Sequence, residues 1–159
     1  MNGEVEVQEA SGQAARQALD PGARVAFERG LEALAANQVA EAVACLREAH
    51  ASAPEHARIR STLGLAIARD GGDFSEARVL CEEAAKQEFF NPDLYLNLAR
   101  VHLAFGFKGE ALRYLRRGLM IDPANAPMSE DLDRLGTRKR PVLGFLPRRH
   151  PLNRLLGRF

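Results

Sequence analysis

NPDLYLNLARVHLAFGFKGEALRYLRRGLMIDP, residues 91–123, spells one helix, a tight turn and a second helix. Asn91 is a preferred N-cap type, Pro92 has no N–H to lose at a first helical position, and Asp93 sets a carboxylate near the positive end of the helix dipole. Leu94, Tyr95, Leu98, Val101, His102 and Phe105 then recur at three- and four-residue steps, which places them on one side of a helix. Gly106 ends that run. Beyond Phe107, Lys108 and Gly109 a second apolar series follows through Ala111, Leu112, Leu115, Leu119 and Met120 to Asp122 and Pro123, where proline forbids continuation. The expectation is an antiparallel helix pair.

The residues of this pair resemble a tetratricopeptide repeat, a module of about 34 residues. With Pro92 as position 1, Tyr95 falls at 4, Leu98 at 7, Ala99 at 8, Ala111 at 20, Leu115 at 24, Gly118 at 27 and Pro123 at 32, each of the residue type the family pattern asks for. Ala99, Ala111 and Gly118 are small enough to let two helices approach closely, while Leu98 and Leu115 fill the space between them. His102 departs from the pattern, which prefers tyrosine there.

The same grammar recurs upstream. With Ala57 as position 1, Leu63, Gly64 and Ile67 take positions 7, 8 and 11 before Asp70, Gly71 and Gly72 close the helix. Asp73 with Glu76 three residues on has the spacing of a capping box for the next helix. Ala77, Cys81 and Ala84 stand one residue late, which implies one inserted residue in the Gly71-Gly72 turn. A further step back, with Ala23 as position 1, finds Gly30, Ala42, Leu46, Ala49 and Pro54 in register. Positions 4, 7 and 11 are there Ala26, Arg29 and Ala33, so that first helix lacks large packing residues. The implied fold is all-α, a right-handed α-solenoid of three helix pairs (23–56, 57–91 and 92–125) with a capping helix over 126–136 and a basic, proline-interrupted tail over 137–159. Residues 1–22 are expected to be partly disordered or loosely helical.

Composition agrees with one small domain: 159 residues, 46% hydrophobic, no long apolar run, and an N-terminus that carries Glu4 and Glu6 instead of a secretory signal. A cytoplasmic location is the default expectation. Cys45 and Cys81 fall in different repeats without metal or disulfide spacing and read as small buried hydrophobes. The net charge of +1 conceals an asymmetry, since residues 1–20 carry −3 and residues 137–159 carry +7 with no acid.

After Pro123 the repeat grammar fades. Ser129 is a candidate cap for a short helix bearing Leu132 and Leu135 and ended by Gly136, which would cover the apolar end of the last repeat. In the tail, Arg138, Lys139, Arg140, Arg148 and Arg149 accompany Phe145 and a final segment in which Leu152, Leu155, Leu156 and Phe159 share one helical face. So many large apolar groups suit docking, on the repeat body or on a partner, better than free solvation. A second reading gives the basic tail a nucleic acid or an anionic membrane surface to contact while the repeats recruit a partner or dimerise.

Residue patterns for catalysis are absent: no GxSxG, no phosphate loop, no HExxH and no GxGxxG, and the four histidines are scattered. No metal or cofactor is implied. His102 is expected on the packed side of its helix as a hydrogen-bonded structural residue. The resemblance instead implies a concave groove lined by the first helix of each repeat and a non-catalytic role in binding a partner peptide or protein. Its lining would be Arg24, Phe27, Leu31 and Leu34, then Arg58, Thr62, Leu65 and Arg69, then Leu96, Asn97, Arg100 and Leu103. Leucines left in a groove call for a cover, either a ligand or one another. The family's clamp for chaperone C-terminal carboxylates needs lysine and asparagine at positions 5 and 9 of one repeat, whereas Phe27 and Leu31 stand there, and Asp93 and Asn97 replace basic residues in the third repeat. A ligand with apolar side chains and a carboxylate or carbonyl held by Arg69 and Arg100 fits better.

Overall fold

A computed structural model describes residues 19–136, and within them the chain is seven α-helices with no strand. These are α1 (Pro21–Ala35), α2 (Val39–Ser52), α3 (Ala57–Arg69), α4 (Phe74–Gln87), α5 (Pro92–Ala104), α6 (Lys108–Ile121) and α7 (Ala126–Gly136). Helices pair as α1 with α2, α3 with α4 and α5 with α6, and each second helix also packs on the first helix of the next pair. The result is an all-α helical-repeat solenoid, closed at its C-terminal end by α7 lying on α6. None of the described helices is long and apolar enough to cross a membrane.

Helix starts follow local chemistry. Asp20 accepts from the Gly22 and Ala23 amides at 3.1 and 3.3 Å, Asp73 from Glu76 N at 2.7 Å, and Asn91 from Asp93 N at 3.2 Å. The box expected at Asp73 is only half formed, because the Glu76 carboxylate turns to Arg47 of α2, 2.8 Å away, and ties the first repeat to the second. For α7 the expected cap was wrong. Asn125, not Ser129, accepts from Met128 N at 3.1 Å, and Ser129 lies inside the helix. Pro127 sits in the first turn, where proline forfeits no hydrogen bond, so the helix begins earlier than the serine suggested.

One residue in each intra-repeat turn takes a left-handed backbone: Asn37 (φ 59°), Gly71 (φ 76°) and Gly106 (φ 80°). Asparagine and glycine are the types that tolerate it. Residues 70–73 separate α3 from α4, one more than the 36–38 and 105–107 turns, which is where the register shift of the second repeat resides.

Small residues line the helix crossings. Ala42, Ala49, Ala77, Ala84, Ala99 and Ala111 are fully buried, and Leu46, Leu63, Leu98 and Leu115 fill the spaces between paired helices. Met120, grouped above with the packed series, is instead 83% exposed. It stands two residues past buried Gly118, about 200° round the helix. The first repeat is joined differently from the others. α3 and α5 pack on one another, but α1 does not approach α3 closely. Long side chains bridge that gap, with Arg58 over the Phe27 ring at 6.0 Å and Arg69 donating to Asn37 Oδ1 at 2.8 Å.

Candidate concave binding face

The face left open by α1, α3 and α5 carries the candidate groove, and its residues are not equally available. Phe27, Thr62 and Leu96 are buried, which corrects their assignment as exposed groove residues. Phe27 packs inward beneath Arg58 with its ring 6.4 Å from His56, and Thr62 turns its hydroxyl back to donate to Arg58 O at 2.7 Å. Leu31 is 38% exposed, and Leu34, Leu65, Asn97 and Leu103 are half-buried. Asn97 Nδ2 donates to Ser61 Oγ at 3.1 Å and so joins α5 to α3.

The two arginines singled out for a carboxylate behave differently from each other. Arg69 is exposed, and donates to Asn37 Oδ1 and, at 3.5 Å, to Leu34 O. Arg100 is not a free groove cation. Its Nε donates to Asp131 Oδ2 at 2.9 Å, and Asp131 is a buried carboxylate on α7 that Arg134 also holds. Periodicity identified α7 as a cover for apolar surface but gave no sign that an acid on it would reach α5. Arg58, like Arg69, is an exposed cation of this face with no carboxylate partner among the described residues.

A further structural arginine was not read from the sequence. Arg60 is buried on α3, donates twice to Pro54 O (3.1 and 2.7 Å), and pairs with Glu55 and Glu83. It faces the side where the first repeat meets the second, so it fixes their relative placement instead of a ligand.

His102 packs where expected but not as expected. Both ring nitrogens lack a hydrogen-bond partner among the described residues. The ring stacks on Tyr114 at 5.3 Å and meets Phe74 edge-on at 5.5 Å, with Phe107 at 6.1 Å. Burial lowers its pKa, helped by Arg78 and Arg113 and opposed by Glu110 and Glu82. His50 and His56 are also lowered, first by burial. A histidine held neutral in the fold binds its proton more readily when unfolded, so stability is full above the unfolded pKa of about 6.5 and declines as pH falls through that value towards the folded one. Urea midpoints measured from pH 7.5 down to 5.5 should therefore fall, and a His102→Phe variant should show a shallower decline. Burial also pushes the Cys81 thiol up to about 12, with Sγ 3.3 Å from Ser61 O, so it is an inert core group at neutral pH.

The tail residues Arg138, Lys139, Arg140, Phe145, Arg148, Arg149, Leu155 and Phe159 lie outside the described residues, as do residues 1–18. The docking and anionic-surface readings that fall on the tail are therefore not addressed by this geometry.

A family model for the tetratricopeptide repeat matches residues 68–130. No curated protein matches the chain in sequence. Among solved structures, the tetratricopeptide domain of Sgt2 from Aspergillus fumigatus superposes with a TM-score of 0.66 at 16% identity, covering 76% of this chain and 80% of that one. The first such domain of human RPAP3 gives 0.64 at 20% identity, covering 72% and 90%. The yeast Sti1 TPR2B domain, in complex with pHsp70, gives 0.62 at 25% identity, covering 73% and 94%.

Proposed function

Because the chain is built of tetratricopeptide repeats, we propose that it is a non-catalytic interaction module that holds a peptide or protein segment on the face of α1, α3 and α5. The observation that carries this is the partial exposure of Leu31, Leu65 and Leu103 on the first helices, beside the unpaired Arg58, while other large groups of the same helices are buried. The apolar surface these leucines leave open beside a cation suits a ligand with an apolar side chain next to a carboxylate. Other domains of this fold are in complex with such segments: the first domain of Spaghetti (RPAP3) is bound to the HSP90 peptide SRMEEVD. Phe27 and Leu31 stand where a chaperone-type carboxylate clamp would need polar and basic groups, so the ligand here is of a different, more apolar kind.

Panning displayed C-terminal heptapeptides on the chain tests this. Selected peptides should carry leucine, isoleucine or phenylalanine beside a carboxylate. Arg58→Glu combined with Leu31→Asp should weaken a selected peptide at least tenfold, or about 1.4 kcal/mol, in a chain that stays folded because both side chains are exposed, the lost Arg58–Phe27 contact lowering the melting temperature only slightly. Undiminished binding to a folded double variant would remove the concave face from consideration.

A further inference from the structure

On the opposite side of the array, α4 and α6 stand apart with α5 beneath them, and the furrow between them holds a cavity of about 460 Å³. Its walls include Glu82, Lys86, Phe89, Tyr95, Tyr114 and Arg117. Three of these are aromatic, and two are held in place by the fold: the Tyr95 hydroxyl donates to Phe89 O at 3.1 Å, and Tyr114 stacks on His102. Phe89 also lies against Phe90 with ring centroids 4.1 Å apart, and Phe90 is 74% exposed beside the cavity. Two adjacent exposed phenylalanines in an inter-repeat turn have no packing role. The volume is in the range of small-ligand and anchor pockets, about 300–1,000 Å³.

The charges around this cavity are cationic in balance. The Glu82 carboxylate is occupied by Arg78 at 2.7 Å. Lys86 and Arg117 have no acidic partner among the described residues, and the Arg117 guanidinium lies 5.0 Å over the Tyr95 ring. Two unpaired cations flanking one aromatic cavity are complementary to carboxylates flanking one anchor side chain.

We propose that this furrow is a second docking site, for an acidic peptide segment that seats one aromatic or large aliphatic side chain in the cavity and sets neighbouring carboxylates on Lys86 and Arg117. A peptide is favoured over a nucleic acid because the cations flank a single cavity and do not trace a strand, and because a carboxylate, Glu82, forms part of the wall. An indole anchor would also find in Glu82 an acceptor for its N–H. The site shares no residue with the concave face and stands or falls without it.

The chain contains no tryptophan, so a probe that carries one reports alone. The probe is acetyl-Glu-Asp-Trp-Glu-Asp-amide, whose blocked end offers no terminal carboxylate to the concave face. Titrating the full chain should give a saturable blue shift of the probe's emission. Lys86→Glu with Arg117→Glu should weaken it at least tenfold, and Arg58→Glu should leave it unchanged. Lys86→Glu alone, at an exposed helix position, keeps the comparison valid if the double variant melts early. Four results would overturn the proposal: no saturable shift at millimolar protein, binding indifferent to the charge reversal, loss of binding with Arg58→Glu, or equal binding of the peptide with alanine for tryptophan. Tighter binding of a short oligothymidylate, lost in the same charge-reversed variants, would reassign the furrow to nucleic acid.

Discussion

Replacing Gly64 by leucine should cost at least about 3 kcal/mol, the upper end of what overpacking a core contact does. At Gly64 α3 passes tightly against α4. A Cβ added there would lie 2.6 Å from Ala77 O and 2.7 Å from Cys81 Sγ. Ala77 O is backbone and cannot rotate away, so the two helices must separate and uncover Leu63 and Ile67. Gly64→Ala should already be clearly destabilising, with the leucine variant worse. Gly109 supplies the control, since a Cβ there meets nothing within 4 Å and Gly109→Ala should stabilise by about 0.5–1 kcal/mol through helix propensity alone. Urea denaturation of the three variants separates the cases. A leucine variant with wild-type stability would mean that α3 and α4 do not meet at Gly64.

Arg100→Glu should be the next most damaging change, and it should act on stability before it acts on any ligand. Asp131 is 4% exposed and is gripped by Arg100 and Arg134 at the α5–α7 contact. Stripping a buried charge of its partner costs about 3–5 kcal/mol. Arg134 remains in Arg100→Leu, which should therefore lose less than that range, whereas Arg100→Glu faces one carboxylate with another and should reach it. Pairing the reversal with Asp131→Arg should recover part of the loss. Hydrogen exchange should locate the damage at Ala126–Gly136, the helix whose attachment is cut. If Arg100→Glu melts like the wild type, Arg100 is a free groove residue after all.

Much of the fold was legible because its determinants are local or periodic. Pro92, Asn91, Gly106 and Pro123 mark chain direction changes by their own backbone chemistry, and Ala99, Ala111 and Gly118 mark a helix crossing by their size. Repetition then multiplied one readable unit into three. Availability of side chains was less legible. Phe27 and Leu96 occupy groove-facing positions by register yet are buried, because a register gives direction from one helix axis and says nothing of the neighbour that covers it. Arg100 was misjudged for the same reason: Asp131 lies 31 residues on in a helix outside the repeat pattern. The unpartnered His102 nitrogens had no signal at all, since the aromatic groups around them come from two other helices and a turn. Cavity and cation-lined furrow, likewise, exist only once α4 and α6 are set apart.

The distance kept by α1 from α3 has a thermodynamic reading. In a linear array, stability is close to a sum of repeat terms and nearest-neighbour contacts, so unequal junctions give unequal free energies of opening. The junction between the first and second repeats lacks the close first-helix packing that joins the second to the third and relies on α2 against α3 and on side chains such as Arg47, Arg58 and Arg69. Amides of α1 and α2 should accordingly exchange through a partial unfolding well below the global free energy, in which the other repeats stay formed. Leu31 and Arg58 lie on opposite sides of that seam. A ligand that touches both is a clasp across it, and each tenfold excess over its dissociation constant would raise the cost of the partial unfolding by about 1.4 kcal/mol. Slowed exchange throughout α1 and α2 on adding a concave-face peptide would then report binding, and in α2 it would do so at a helix that the peptide does not touch.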